Sequence, residues 1–250
     1  MSKMKNLTGK VAFVTGGSRG MGAAIAQKLA LEGANVAFTH SGKNNDKAKT
    51  VLDNIVAKGG KGMSLVAPNE DAASLLQAMQ SVHDQLGTID IFVNNAGVYF
   101  QKSIEEYGLE EYDYCMNVNV KAVFVTAQFA AKHMKAGGRI ITIGSNMAER
   151  VYFPGGSLYA MSKSALKGLT KGMARDLGDR KITVNLIQPG PIDTDMNPAN
   201  SAHAPMLINS LAIKRYGDVN EVAGLVAYLS SPAAAFITGE SITIDGGFNI

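Results

Sequence analysis

Short apolar runs alternate with helical patterns along the whole chain. Seven runs rich in strand-forming residues occupy 11–15, 35–39, 62–66, 89–94, 139–143, 182–188 and 241–245. Between them, apolar residues recur at spacings of three and four, as Ile25 and Leu29 do. Strands that alternate with helices indicate βαβ units, and runs without polar alternation are typical of strands covered on both faces. We therefore predict an α/β fold, a doubly wound seven-stranded parallel sheet with helices on both faces.

No long linker, repeat or composition break interrupts the 250 residues, which predicts one domain over 1–250. Hydrophobic residues make up 46% of the chain, enough for a sizeable core. Residues 193–213 are the exception, a mixed Pro, Asn, Ala and Ser insertion between the sixth strand and the last helix. An insertion of this length predicts a lid or substrate loop. Asp218 and Glu221 have the spacing of a capping box that opens that last helix.

Composition excludes several classes of protein. The net charge is only +3, without a basic stripe, which argues against a nucleic-acid or membrane-surface partner. Cys115 is the one cysteine and the four histidines lack ligand spacing, so neither an intrachain disulfide nor a metal site is expected. No apolar run approaches the ~18 residues that span a bilayer, and the first ten residues lack a secretory pattern. These features predict a cytoplasmic protein.

A glycine-rich turn follows the first predicted strand. Residues 15–22 read Thr-Gly-Gly-Ser-Arg-Gly-Met-Gly and lead directly into a helical pattern. Glycines allow a close backbone approach to a pyrophosphate, and the free N–H groups of a helix N-terminus favour an anion. The spacing differs from the usual dinucleotide fingerprint, and the alternative is a turn without function. Its position, at the carboxyl edge of the first strand, favours a dinucleotide site.

The end of the second predicted strand discriminates between the two nicotinamide dinucleotides. An NAD site is expected to have an acidic residue there, which binds the ribose 2′-hydroxyl. Residues 38–43 read Phe-Thr-His-Ser-Gly-Lys, without an acid, and Arg19, His40 and Lys43 are close. A cationic rim suits a 2′-phosphate, whereas the alternative is that Arg19 and Lys43 are ordinary surface charges. We expect NADP(H), with NAD(H) less favoured.

Tyr159 and Lys163 are four residues apart, which places them on one face of a predicted helix. A tyrosine with the ordinary pKa of ~10 exchanges protons poorly near neutrality. A nearby ammonium favours the phenolate and lowers that pKa, which makes the tyrosine a usable acid and base. Such a pair is also common on solvated helices. Ser145 and the segment 94–97, however, end the fifth and fourth strands at the same carboxyl edge.

Together these segments resemble the short-chain dehydrogenase/reductase family over essentially the whole chain. The matching motifs are TGGSRGMG at 15–22, NNAG at 94–97, Asn119 in NVNVKA, Ser145, YAMSK at 159–163, QPGPIDT at 188–194 and ITGESITIDGG at 237–247. Seven ordered motifs at the family's spacing argue against a chance match. The resemblance implies a single-domain Rossmann fold and an NADP-dependent oxidoreductase acting on CH–OH and C=O groups.

The resemblance also implies residue roles. Tyr159 would donate a proton to the substrate carbonyl in reduction and accept it in oxidation. Lys163 would lower the Tyr159 pKa and bind the nicotinamide ribose. Ser145 would polarise the carbonyl, and Asn119 would hold a water that relays protons to Lys163. The implied cofactor-binding residues are Gly16, Ser18, Arg19, Gly20, Met21, Gly22, His40, Ser41, Lys43, Asn95, Ala96, Gly97, Tyr159, Lys163, Pro189, Gly190, Ile192 and Thr194.

The sequence departs from the family at the expected adenine contact. The family often has an acid after the third strand that accepts a hydrogen bond from the adenine amino group. Pro68 stands at that position here and cannot accept this bond, which leaves Asn69 as a substitute.

Six residues lie in segments that the family uses around its substrate, and the alternative for some of them is a place in the core. They are Asn146, Met147, Tyr152, Met196, Met206 and Leu207.

Small residues recur every fourth position on the Tyr159 helix, including Gly168 and Gly172. Interior glycines cost helix propensity, about 1 kcal/mol each, but let another backbone approach closely. We expect a tight helix contact, either within one subunit or between subunits, because the family commonly forms tetramers through this helix. A homotetramer or a dimer is therefore expected.

The leading interpretation is an NADPH-dependent reductase of small ketones or aldehydes that runs in reverse as an alcohol dehydrogenase. A 3-oxoacyl-acyl-carrier-protein reductase is the alternative within enzymes, and it would show a basic patch beside the active-site mouth, for which Lys171, Arg180 and Lys181 are candidates. A nucleotide-binding regulator is the alternative outside enzymes. Residues 188–200 and 212–217 resemble a subgroup that includes a cyclic-di-GMP-binding biofilm-dispersal protein, but fold alone does not decide function.

Overall fold

The computed structural model describes residues 6–43 and 45–250; residues 1–5, part of the segment without a secretory pattern, lie outside the described residues. Within them, the strands are β1 Val11–Val14, β2 Asn35–His40, β3 Gly62–Val66, β4 Ile91–Asn94, β5 Arg139–Ile143, β6 Thr183–Pro189 and β7 Ser241–Ile244. The helices are α1 Gly20–Leu31, α2 Asn45–Ala57, α3 Ala72–Leu86, α4 Leu109–Met116, α5 Ala122–His133, α6 Ser157–Leu177, α7 Ala204–Ser210 and α8 Val219–Ser230.

The seven strands form one parallel sheet in the order β3-β2-β1-β4-β5-β6-β7. The predicted fold class is confirmed. The winding direction reverses between β1 and β4, and in open α/β sheets ligands bind at the carboxyl edge of such a reversal. This topology brings the glycine turn after β1 and the segment after β4 side by side.

Both faces of the sheet are covered, which explains the uninterrupted apolar runs. On β1, Ala12 and Val14 belong to a core shared with α1, α2 and α8. Phe13 points to the opposite face, where its ring lies 5.7 Å from Phe92, and Phe92 lies 6.3 Å from Phe129 of α5. Successive side chains of a strand point to opposite faces, so a strand buried on both faces has no polar positions to alternate.

The predicted boundary of α8 is confirmed. Asp218 accepts a hydrogen bond from the Asn220 amide at 2.7 Å, and Glu221 accepts from the Asp218 amide at 2.8 Å, which together form the capping box. Residues 193–213, predicted as a lid or substrate loop, contain the short helix α7. Leu207 of that helix packs with Tyr216 and Phe248 in a separate small core.

One feature was not predicted from sequence. The chain passes from α4 to α5 through a π-helical turn, Asn117–Lys121, so that the three segments form one interrupted helix. Turns of this kind are rare and occur frequently at functional sites. This one contains Asn119.

Candidate active site

The turn between β1 and α1 requires its glycines. Gly16 and Gly20 have φ angles of +66° and +53°, a left-handed conformation that only glycine adopts readily. A Cβ on Gly22 would lie 2.2 Å from the Gly16 carbonyl oxygen, so any side chain there would clash. Asn95, beyond β4, donates through Nδ2 to the carbonyls of Thr15 and Gly16 at 2.9 and 3.1 Å. These contacts hold the turn in place from the neighbouring strand.

A cavity of about 350 Å³, here named the turn cavity, lies beside this turn. It brings together most of the predicted cofactor residues, namely Gly16, Ser18, Arg19, Gly20, Met21, Gly22, His40, Ser41, Lys43, Asn95, Ala96, Gly97 and Thr194. Its walls are glycine backbone, the N-terminus of α1 and the polar residues after β2. This is an environment in which backbone N–H groups and positive charge favour an anionic ligand.

The prediction that Arg19, His40 and Lys43 surround the turn cavity with positive charge is correct in part. Arg19 lies 3.6 Å from Asp195 and Lys47 lies 2.8 Å from the same carboxylate, so the turn and α2 are both tied to the 193–213 segment. The two cations hold the pKa of Asp195 below its usual value, Lys47 having the larger effect. Asp195 is therefore an ion-pair partner of two cations at the rim of the turn cavity.

The expectation that His40 contributes positive charge is wrong. The imidazole is buried, and its Nδ1 accepts a hydrogen bond from the Gly42 amide at 3.3 Å. Burial lowers the pKa of His40 below its ordinary value. A neutral histidine therefore lines the turn cavity, and Arg19 and Lys43 are the lining residues with positive charge.

Asn69 lines the turn cavity at the position left open by Pro68. Its Nδ2 donates to the Val118 carbonyl at 2.8 Å, which fixes the amide orientation. Its Oδ1 is buried and has no hydrogen-bond partner among the described residues. The side chain therefore presents a fixed acceptor with unused capacity.

Tyr159 and Ser145 lie together at a second cavity. Ser145 follows β5 and begins a short 3₁₀ turn, where its Oγ accepts from the Met147 amide at 3.1 Å. Tyr159, in the first turn of α6, is half-buried, and a hydrogen bond joins its hydroxyl to Ser145. Both residues line a cavity of about 430 Å³, here named the loop cavity.

Lys163 lies one helical turn after Tyr159 and is buried. Its Nζ is 5.7 Å from the centroid of the Tyr159 ring and donates to the Ile143 carbonyl at 2.9 Å. Burial raises the pKa of Tyr159 to about 12, although the hydrogen bond with Ser145 opposes this shift. Burial also lowers the pKa of Lys163 to about 8. Burial has the largest effect on Tyr159, so its pKa lies above the ordinary value of a tyrosine, and that Lys163 lowers it remains a prediction.

Asn119 is buried beneath these residues. Its Nδ2 donates to the Val98 carbonyl and to Ser162 Oγ, both at 3.0 Å, while its Oδ1 accepts from the Val98 amide at 2.9 Å. A Cβ on Gly97 would lie 3.3 Å from Lys163 Nζ and 3.4 Å from Asn119 Oδ1. Lys163 Nζ and Asn119 Oδ1 thus both lie close to the backbone at Gly97. That Asn119 holds a water remains a prediction.

The loop cavity contains all six predicted substrate residues. Asn146, Met147, Tyr152, Met196, Met206 and Leu207 line it, as do Pro189, Gly190, Ile192 and Thr194. Met21, Thr194 and Met196 line both cavities, so the two adjoin there. The geometry therefore brings the turn cavity against the largely apolar loop cavity, whose wall contains Ser145 and Tyr159.

Sequence reasoning missed several lining residues, among them Tyr99, Gln101 and Phe248. Tyr99 had a usable signal, because it lies two residues beyond the 94–97 motif at the carboxyl edge of β4. Phe248 had none, because it arrives from the end of the chain after β7. Lys163 and Asn119 are buried and line neither of the two cavities.

Among residues 6–43 and 45–250, no group of three or more His, Cys, Asp or Glu side chains has a geometry that could hold a metal ion. No helix in the same part of the chain is long and apolar enough to span a membrane.

A sequence profile described as enoyl-(acyl carrier protein) reductase matches residues 16–249. A solved short-chain dehydrogenase/reductase from Serratia marcescens BCRC 10948 is 55% identical and has a TM-score of 0.96, covering 98% of this chain and 100% of that one. The chain belongs to the short-chain dehydrogenase/reductase family. A second member of the family, from Burkholderia cenocepacia J2315 and solved in complex with NADP, is 47% identical with a TM-score of 0.96, over 98% of this chain and 100% of its own.

Two curated relatives have different functions in their names. The cyclic-di-GMP-binding biofilm dispersal mediator protein of Escherichia coli K12 is 41% identical, over 98% of this chain and 99% of its own length. The 3-oxoacyl-[acyl-carrier-protein] reductase FabG of Vibrio cholerae is 38% identical, over 97% of this chain and 98% of its own. Membership of the short-chain dehydrogenase/reductase family is thus compatible with each of the functions predicted from sequence.

Proposed function

We propose that this protein is an NADPH-dependent carbonyl reductase that runs in reverse as an alcohol dehydrogenase. The observation that carries this proposal is the pair of residues Ser145 and Tyr159 in the wall of the loop cavity, which adjoins the turn cavity at Met21, Thr194 and Met196. A carbonyl bound there meets two hydrogen-bond donors on one side and the dinucleotide cleft on the other. Membership of an oxidoreductase family supports the same conclusion.

The chemistry of the turn cavity fits NADP(H). Strand β2 ends without a carboxylate, Arg19 and Lys43 supply positive charge for a 2′-phosphate, and solved relatives contain NADP. Asn69 Oδ1 is the acceptor we assign to the adenine amino group, in place of the acid missing at Pro68. At the other end, the segment 189–194 is assigned to the carboxamide. When bound, NADPH supplies the hydride, and the protein supplies orientation and the proton.

The chain's own residues then perform the proton chemistry. Ser145 donates a hydrogen bond to the substrate oxygen and stabilises the negative charge that develops on it. Tyr159, whose pKa of about 12 keeps it protonated at neutral pH, donates its proton to that oxygen. Lys163 stabilises the resulting phenolate, provided that the pH lies below its own pKa of about 8. Near neutrality both residues are therefore in the protonation states that reduction requires.

Turnover by purified protein tests the proposal. NADPH and NADH oxidation would be measured with a panel of ketones, diketones and acetoacetyl thioesters, with Tyr159→Phe as the control. We expect NADPH to be preferred and turnover to be lost in the variant, which retains NADPH binding. Absence of turnover with every carbonyl, while the dinucleotide still binds, contradicts the proposal.

A carrier-protein substrate is the weaker alternative. Arg180 and Lys181, two of the three candidate basic residues, precede β6 and so lie at the amino edge of the sheet. Arg180 is also engaged by the carbonyls of Ala131 and Met134. The loop cavity opens at the carboxyl edge, and none of the described residues that line it is a lysine or an arginine. Activity on the thioester well above that on small ketones would favour this alternative.

The regulatory alternative rests on the 41% identical biofilm-dispersal relative. A binding protein needs the turn cavity, but it has no use for a buried Tyr159, Lys163 and Asn119 arranged beside a second cavity. A biological effect that survives Tyr159→Phe would favour regulation.

We also propose a homotetramer or a dimer that uses the outer face of α6. Gly168 and Gly172 are exposed, and a Cβ on either would meet nothing within 4 Å among the described residues. These two glycines therefore have no packing role within the described part of the subunit. Between two subunits they would let the helices approach closely. A cytoplasmic location remains a prediction from sequence.

A further inference from the structure

Tyr99 lies directly beside the reacting tyrosine. Its ring centroid is 5.0 Å from that of Tyr159, and the two ring planes meet at 89°, an edge-to-face contact. Tyr99 also lines the loop cavity. It therefore borders both the substrate space and the proton donor, although the proposed function assigns it no role.

The hydroxyl of Tyr99 is buried and has no hydrogen-bond partner among the described residues. Buried polar groups in folded proteins are normally paired, so an exception requires an explanation. Tyr107, eight residues along the chain, shows the ordinary arrangement. Its hydroxyl interacts with the carbonyls of Phe100 and Gly155 at 3.0 and 2.9 Å. Nothing of this kind satisfies Tyr99.

Asn146 provides a second unused donor in the same cavity. It directly follows Ser145, is 5% exposed and lines the loop cavity. Its Nδ2 is buried without a partner in the described part of the chain. Its backbone is fixed, because Asn249 Nδ2 donates to the Asn146 carbonyl at 3.1 Å. Both unused groups can donate, so together they suit an oxygen acceptor.

The remaining lining determines what kind of oxygen this is. The loop cavity is walled largely by methionine, proline, leucine and aromatic side chains, and no Lys, Arg, Asp or Glu lines it within the described residues. His203 is the one basic side chain that lines it in the described part of the chain, so a carboxylate or phosphate buried there would have little counter-charge, which is unfavourable. An uncharged carbonyl or hydroxyl oxygen has no such cost.

We propose that Tyr99 Oη and Asn146 Nδ2 bind a second, uncharged oxygen of the substrate, so that the preferred substrates are ketones with a neighbouring carbonyl or hydroxyl group. This inference rests on the proposed reductase function. Tyr99 is then a specificity-determining residue, whose hydroxyl binds the substrate and does not stabilise the folded protein.

The test compares two ketones that have a second oxygen with one that lacks it. NADPH oxidation would be measured with 2,3-butanedione, 3-hydroxy-2-butanone and 2-butanone for the wild type, Tyr99→Phe and Asn146→Ala. Tyr107→Phe is the matched control, because it removes a hydroxyl that the protein does satisfy. The ratio of variant to wild-type kcat/KM is taken for each substrate, which cancels the greater intrinsic reactivity of the dione.

We expect Tyr99→Phe to lower kcat/KM about tenfold for the two oxygenated ketones, the loss of about one hydrogen bond, and less than about twofold for 2-butanone. Asn146→Ala should change selectivity in the same direction. Tyr107→Phe should affect all three substrates by the same factor. Thermal unfolding adds an independent measurement. Tyr99→Phe should not lower the melting temperature, whereas Tyr107→Phe should, since it removes a hydroxyl that accepts from the Lys102 amide and donates to the carbonyl of Phe100 or Gly155.

Three results would overturn the inference while leaving the reductase proposal intact. They are an equal loss for all three ketones in Tyr99→Phe, no change for any of them, or a lower melting temperature of that variant. Failure of the wild type to reduce any ketone would instead overturn the proposed function, and this inference with it.

Discussion

Replacing Asn119 by aspartate tests the role of its side-chain amide with almost no change in shape. In the wild type, Nδ2 donates to the Val98 carbonyl and to Ser162 Oγ, both at 3.0 Å, in a site that is 1% exposed. Asn119→Asp substitutes an oxygen for this nitrogen. Ser162 retains its own bond to the Tyr159 carbonyl at 2.7 Å, but the Val98 carbonyl then faces another acceptor.

The expected loss of stability follows from these contacts. An unpaired buried carbonyl costs about 1–3 kcal/mol, and burying the new carboxyl adds to this, so we expect about 2–4 kcal/mol less unfolding free energy at pH 7. For a chain of this length the melting temperature should fall by about 5–15 °C. Burial raises the pKa of the new carboxyl above the unfolded value of ~3.9. The protonated carboxyl can still donate to the Val98 carbonyl. The loss of unfolding free energy relative to the wild type should therefore be smallest at low pH, and it should grow as the pH rises through the pKa of this carboxyl in the folded protein.

Thermal and urea unfolding of the variant and the wild type between pH 5 and pH 8 measure this difference in unfolding free energy. Asn54→Asp, on the exposed side of α2, is the matched control and should lie within about 0.5 kcal/mol of the wild type. The reasoning is refuted if Asn119→Asp melts together with the wild type at pH 8. A deficit that shrinks as the pH rises would equally contradict it.

Three further outcomes are expected. Alcohol oxidation needs the Tyr159 phenolate beside a charged Lys163, so with pKa values of about 12 and about 8 its rate should rise about tenfold per pH unit up to pH 8 and level off above it; a profile that is flat below pH 8 would contradict this. Arg19→Ala should raise the KM for NADPH about fivefold to tenfold and leave that for NADH within about twofold; equal changes would remove Arg19 from 2′-phosphate binding. Replacing both Gly168 and Gly172 by leucine should reduce the mass in solution measured by light scattering, and an unchanged assembly would exclude the α6 interface.

The fold was predictable because its pattern is local. Strands buried on both faces leave apolar runs, and the predicted bounds of β3 and β5 match the structure. β4 begins two residues later than predicted, at Ile91. Asp90, the residue before β4, instead accepts a hydrogen bond from the Val11 amide at 2.9 Å and forms an ion pair with Lys10 at 3.0 Å. A polar residue that binds across the sheet in this way cannot be read from the periodicity of its own segment.

The parts that were not predictable depend on three-dimensional contacts. The π-helical turn is fixed around Asn119, whose partner Val98 lies 21 residues away in sequence. The raised pKa of Tyr159 reflects desolvation, which no spacing of residues specifies. The same holds for His40, whose sequence position indicated a cation and whose burial lowers its pKa. Motif spacing identified the residues that meet, but not the electrostatic environment in which they meet.

That environment is itself an argument for catalysis over binding alone. Lys163 is 3% exposed, and burial lowers its pKa from 10.5 to about 8. At 1.36 kcal/mol per unit, burying this ammonium costs roughly 3 kcal/mol of stability at pH 7, a deficit that disappears as the pH rises from 8 towards 10.5. Its hydrogen bond to the Ile143 carbonyl offsets only part of this cost. A protein that merely held a nucleotide in the turn cavity would be more stable with an apolar side chain at this position. A buried ammonium beside Tyr159 is useful when negative charge develops on that phenol, as it does when the phenol gives its proton to a carbonyl oxygen.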